Sequence, residues 1–181
     1  MKSDVRWRPF QLDDGLPKGK GVDKMEHYGS KFGAQKVREM IPNMKQVGES
    51  VGINFSYGGS IGNTEDSHRL IWKARQVGGS ELQDKMVESL FKAYFEDEQS
   101  LGELTVLKQC AERAGMPTDI TDALLQDSCT DGKKEIQQEK KEFASKWNCR
   151  GVPLFVIDNK YPLSGAQPME QFLEIFEELD E

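Results

Sequence analysis

Three cysteines, Cys110, Cys129 and Cys149, are the only thiols in the chain, and they stand far apart with no Cys-x-x-Cys among them. Thiols paired at that spacing serve disulfide exchange or zinc, so the sequence writes neither a local redox motif nor a metal site. Exchange needs a low-pKa thiolate at a helix N-terminus and a nearby thiol to resolve the mixed disulfide. Cys110 shares a helical face with Val106, Leu107 and Ala114 and is expected in the core. Cys129 falls in a polar turn between helices. Cys149, four residues before Pro153, is the one candidate thiol, read either as redox-sensitive or as an incidental packing residue.

The second chemical feature is Gly151-Val152-Pro153, which leads into the apolar run Leu154-Phe155-Val156-Ile157. Proline cannot donate to a sheet ladder and so sits at a strand start or on an edge. Were the bond cis, the N–H and C=O of Val152 would turn outward and leave an edge on which a thiol-bearing peptide or glutathione could pair. On local sequence alone, a trans proline on an ordinary edge strand is the simpler reading. Ser164, Gly165, Ala166 and Gln167 precede Pro168, where a helix begins. Their backbone N–H groups could hold a carboxylate, or they form a plain strand-to-helix turn. His68, one of two histidines, either faces a cleft or is hydrogen-bonded structurally. Trp7 is expected in the core rather than as a substrate platform, and Arg8 solvated or paired.

The elements that must position these groups can be read in order. Asp4 to Leu12 alternates in part and ends in Asp13-Asp14-Gly15, which predicts a strand leaving into a loop. Met25, Tyr28 and Phe32, then Val37, Met40, Ile41, Met44 and Val47, have helical spacing broken at Gly33, with a kink expected at Pro42. Ile53 to Tyr57 reads as a short extended piece. Asn63-Thr64 followed by Glu65 and Asp66 starts a helix that Gly78-Gly79 stops, and Ser80 with Gln83 offers a capping box for the next. That helix carries Leu82, Met86, Leu90, Phe91, Tyr94 and Phe95 as an apolar and aromatic stripe. Further helices are expected over Glu103–Ala114, Asp119–Gln126 and Gly132–Trp147. A hairpin turning at Asp158-Asn159 follows, with Lys160 to Ser164 as its second strand. The last helix should bury Met169, Phe172, Leu173, Phe176 and Leu179, with an exposed acidic face over Glu174–Glu181.

At 181 residues, 36% hydrophobic, the chain can bury a core without disulfides or metal. A net charge of -7 and pI near 5.0 argue against nucleic acid or an anionic membrane as partner. No apolar run suffices to span a bilayer, and Met1 to Arg6 lack the apolar core of a signal peptide, so a cytoplasmic location is expected.

Trp7-Arg8-Pro9-Phe10, Asn63-Thr64, His68-Arg69-Leu70, Leu90-Phe91 with Tyr94-Phe95, Gly151-Val152-Pro153 and Ser164-Gly165-Ala166-Gln167 occur in an order and spacing that carry a resemblance. From Val5 to Leu179 the chain resembles the FrnE-type branch of the DsbA-like thioredoxin superfamily, related to 2-hydroxychromene-2-carboxylate isomerase and kappa-class glutathione transferase. The resemblance implies an α/β, thioredoxin-like fold with a large helical insertion. Residues 1–15 and 150–181 would form the thioredoxin-like part and 16–149 the insertion. It further implies Pro153 as a cis-proline beside the active site and Ser164 to Gln167 as the region receiving the γ-glutamyl end of glutathione. Family members carry a strand, a Cys-x-x-Cys or Ser-type motif and a helix ahead of the Trp-Arg-Pro-Phe strand, and that first strand and active-site helix are absent from this sequence. Thiol–disulfide oxidoreductase chemistry is therefore expected at family level, weak or inactive in this form. The alternatives are a glutathione-dependent isomerase or transferase, and a redox-inactive binding module. No cofactor beyond glutathione is implied; the partners would be a thiol or disulfide peptide or glutathione. The open sheet edge would be met by direct pairing of the Trp7 and Pro153 strands, by a second copy in a homodimer, or by sequence further upstream.

Overall fold

The computed structural model describes residues 4–180; Met1 to Ser3 and Glu181, and the expectations that touch them, lie outside the described residues. The first elements are β1 (Val22–Asp23), α1 (Lys24–Phe32) and α2 (Ala34–Ser50), then β2 (Ser60–Ile61), which pairs antiparallel with β1. Asp23 caps α1 by accepting the Glu26 N–H at 2.9 Å, satisfying one of the first-turn donors that a helix leaves unpaired. The break between α1 and α2 falls at Gly33, whose φ of 90° favours glycine, and Pro42 lies inside α2.

Next comes α3 (Glu65–Phe95), in which Gly78 and Gly79 leave helical backbone angles, so that it is two limbs set apart where the sequence places a stop. α4 (Leu104–Ala114), α5 (Thr118–Leu124) and α6 (Lys133–Trp147) follow. Leu70, Ala74, Met86, Leu90, Leu107, Cys110 and Leu124 bury together where α3, α4 and α5 meet. Each large aliphatic side chain there contributes roughly 1.5–3 kcal/mol by leaving water. Arg69 is also buried, donating to the Asp66 carboxylate and to the carbonyls of Leu124, Cys129 and Asp131 at 2.7–3.0 Å. One guanidinium thereby satisfies the chain end of α5 and the loop that leads to α6.

The chain closes with β3 (Leu154–Ile157), β4 (Tyr161–Ser164) and α7 (Met169–Asp180). The two strands pair antiparallel from Leu154↔Ser164 to Ile157↔Tyr161, and Asp158 and Asn159 turn the chain with φ of 48° and 54°. Asn and Asp tolerate that left-handed backbone, which is why this pair marks the hairpin.

Several expectations fail for identifiable reasons. Asp4 to Leu12 forms no strand: β3 pairs with β4 alone among the described residues, so the direct Trp7–Pro153 strand pairing is not found. The N–H and C=O of Trp7 are taken instead by the Gln83 carboxamide, at 3.1 and 3.2 Å. Gln83 also donates to the Ile71 carbonyl at 3.3 Å, so its amide is committed there and not to a capping box with Ser80. Past Ile53 to Tyr57, the backbone bridge to β1 forms at Ser60–Ile61. Trp7 is 38% exposed and not in the core. α7 buries none of its residues, and Met169 and Leu173 are 68% and 47% exposed; the hairpin meets it through Phe155 against Phe172 and Tyr161 on Glu178.

Candidate functional site

The hairpin determines where the Pro153 region sits. Pro153 immediately precedes β3, its carbonyl accepts the Gly165 N–H at 2.9 Å, and Gly165 holds a φ of 85° at the exit of β4. The structure thus brings Gly151-Val152-Pro153 and Ser164-Gly165-Ala166-Gln167 to one end of the hairpin although they are apart in sequence. The Val152–Pro153 peptide is cis. Val152 is 49% exposed, and among the described residues neither its N–H nor its C=O has a hydrogen-bond partner. β3 has β4 on one side and no strand on the other among those residues. An exposed N–H and C=O on one residue are what an added extended segment pairs with.

The turn from Ser164 to Gln167 is partly self-satisfied. Gln167 Nε2 donates to the Ser164 carbonyl at 2.5 Å, the Gly165 N–H is already given to Pro153, and α7 begins beyond these residues at Met169. Cys149 lies on the approach to this end, just past α6, where Asn148 adopts φ 49°. Its half-buried thiol donates to the Gly151 carbonyl at 3.4 Å.

His68 stands elsewhere. It lies on the first turns of α3, with Nδ1 2.6 Å from the Thr64 carbonyl and with the Phe10 carbonyl and Lys140 also facing the ring. Burial pushes its imidazole below the ordinary value, against the pull of those two carbonyls. None of these partners belongs to the hairpin. Cys110 is fully buried with its thiol on the Ser89 carbonyl at 3.6 Å, and burial pushes that thiol up, away from the thiolate a nucleophile needs. Cys129 packs at the edge of the core with its carbonyl held by Arg69. Arg8 pairs with Glu139 at 3.1 Å and lies over the Phe143 ring.

One polar cluster escaped the sequence reading. Lys24 is buried, its Nζ donates to the Tyr94 carbonyl at 2.8 Å and lies 4.0 Å from the Tyr94 ring centroid, and the Tyr28 and Tyr94 hydroxyls are 2.6 Å apart. Burial pushes Lys24 down and Tyr94 up. The spacing of Lys24 and Tyr28, one helical turn, was the only local hint, and it cannot reveal Tyr94. A groove of about 470 Å³ between α1 and α2, lined by Met25, Ala34, Val37 and Arg38 among others, holds none of the candidate site residues.

Comparison with known proteins adds to this geometry. Residues 1–177 match the family model described as the DSBA-like thioredoxin domain. No curated protein matches the chain. Among solved structures, one described as a probable DsbA oxidoreductase from Streptomyces coelicolor is similar with a TM-score of 0.82 and 27% identity, covering 93% of this chain and 71% of that one.

Proposed function

This chain belongs to the DSBA-like thioredoxin domain family, with the mostly helical α/β fold and small sheets of that family, and on that premise we propose that it acts in thiol–disulfide exchange of the FrnE type. Val152 and Pro153 form the edge on which a thiol- or disulfide-bearing peptide docks. The observation that carries this reading is exposed Val152, whose N–H and C=O have no hydrogen-bond partner among the described residues, next to the side of β3 that no strand covers among them. Two backbone hydrogen bonds to an extended segment would hold a sulfur atom beside Pro153, with Cys149 the chain's own thiol nearest in sequence. The division into a thioredoxin-like part, 1–15 with 150–181, and a helical insertion, 16–149, belongs to the same reading, as does pairing of two copies through the open edge.

The 181 residues hold no Cys-x-x-Cys, so this reading assigns them docking and little turnover. Thiol-dependent reduction of a protein disulfide by the purified chain tests it: slow or absent reduction with saturable peptide binding is expected, and robust turnover overturns the assignment of weak activity. Ser164 to Gln167 are the residues to which glutathione would be assigned. A glutathione titration that raises the melting temperature by mass action would favour the isomerase or transferase chemistry of the sister families. Binding of peptide with no thiol requirement would favour a redox-inactive module.

A further inference from the structure

The stretch that carries α1 and α2 is fastened at both ends to one turn of α3. Tyr94 and Phe95 close that helix, so their carbonyls lack a partner within it. The Lys24 ammonium, at the start of α1, donates to the Tyr94 carbonyl at 2.8 Å, and the Ser56 N–H, past the end of α2, donates to the Phe95 carbonyl at 2.7 Å. Lys24 is buried at a helix C-terminus, where the dipole favours a cation. The neck at this point is tight: β1 pairs with β2, a Cβ on Gly21 would run into the Ile61 carbonyl, and one on Gly59 into that of Glu98. Beyond the neck the stretch is nearly self-contained. The buried cluster of α3, α4 and α5 takes no residue from α1 or α2 among the described residues. Val37, the one apolar side chain buried on either helix, lines the groove between them with Met25. α2 packs chiefly on α1, and its side-chain hydrogen bonds among the described residues, Gln35 to Glu39 and Ser50 to the Val47 carbonyl, stay within it. Two polar ties reach α1 beyond Lys24. The Tyr28 and Tyr94 hydroxyls are 2.6 Å apart, and His27 and Lys31 flank the Asp13 carboxylate at 3.5 and 3.9 Å, with Lys31 also donating to the Leu12 carbonyl at 3.3 Å.

We infer that Lys24 to Phe55 is a flap that opens as one cooperative unit while the core of α3, α4 and α5 stays closed, and that the charge clasp at Asp13 sets how often it opens. A segment with few buried apolar contacts comes from the low end of a protein's local stabilities. Helices of 9 and 17 residues, the second with Pro42 inside it, are marginal alone in water, so loss of the ties unravels them together. The last turn of α3 opens with them, because Lys24 and Ser56 satisfy its final carbonyls. The clasp joins partly exposed charges, so it is weak and screened by salt, and the flap thereby responds to ionic strength. The flap does not depend on thiol chemistry at Val152, so its failure would leave the exchange reading standing.

Native-state hydrogen exchange of the full chain, read by mass spectrometry, tests this. The amides of α1, α2, Glu96 and Asp97 should share one opening constant, at least about tenfold larger than that of Leu90 and Leu107 in the core. Asp13→Asn removes the charge of the clasp and keeps the oxygen that accepts the Gly15 N–H, so the turn persists. It should raise the opening of the flap about threefold and leave the core unchanged. Salt at about 0.5 M should do the same to the parent chain and add little in the variant. Lys24→Met, which strips the Tyr94 carbonyl of a charged donor, should raise the opening about tenfold. Exchange of α1 and α2 in step with the core, exchange of the two helices at unrelated rates, or a flap indifferent to Asp13→Asn overturns the inference.

Discussion

The side-chain amide of Gln83 grips Trp7 on both sides of its backbone, accepting from the N–H at 3.1 Å and donating to the C=O at 3.2 Å. A glutamine in this position reproduces the two bonds of a β-bridge without a second strand. Gln83 is buried, so its amide must be satisfied, and Trp7 supplies most of what it needs. The relationship explains both why the N-terminal segment lies on α3 and why it is not a strand. Replacing Gln83 by Leu should therefore destabilise the chain by about 1–3 kcal/mol, since Trp7 keeps two backbone groups without partners. Denaturant unfolding followed by Trp fluorescence measures this. An unchanged midpoint would mean that the segment is not anchored there.

Arg69 concentrates four hydrogen bonds on one buried side chain. Arg69→Met leaves the Asp66 carboxylate with Lys18 as its remaining cation and strips three carbonyls of a donor. A loss of about 3–5 kcal/mol is expected, the range for removing one partner of a buried pair. Arg69→Lys should recover only part, because an ammonium cannot reproduce the planar fork. Full recovery by Lys, read from melting curves, would contradict this geometry.

His68 gives a pH dependence with a definite sign. Its folded-state pKa lies below the ordinary value of 6.5, so the unfolded chain binds the proton more readily. The stability contributed by neutral His68 is complete above 6.5 and is lost as pH falls from there through the depressed folded value. His68→Gln should flatten the decline in stability below pH 6.5. A variant that declines as steeply as the parent between pH 7 and 5 would show that another group is responsible.

The thiols should separate by reactivity. Cys110 is fully buried and its pKa is pushed up by burial, whereas Cys149 is half-buried near the surface turn at Gly151. Alkylation of the native chain at neutral pH, mapped by mass spectrometry, should modify Cys149 readily and Cys110 only after unfolding. Equal labelling of both would mean that the α3–α4 contact opens far more easily than its packing implies.

Much of this molecule was legible locally. The helical spacing through Val37 and Met44, the stop at Gly78-Gly79, the turn at Asp158-Asn159 and the packing of Cys110 all follow from side-chain periodicity and backbone preference within a few residues. Pro153 and Ser164–Gln167 were legible as a strand start and a strand-to-helix turn for the same reason, and the hairpin register then places them at one end.

Which partner each exposed group finds was settled by the packing of segments distant in the chain. Trp7 and Gln83 are 76 positions apart, and Lys24 and Tyr94 are 70 apart. Alternation in Asp4 to Leu12 predicts a strand, but a strand exists only where another edge is there to complete its hydrogen bonds, and here a side-chain amide does so instead. The same holds for α7, whose apolar face is written in the sequence while the extent of its burial depends on what lies against it. Pattern in a chain fixes which surface an element wants to hide; distance in sequence conceals what, if anything, hides it.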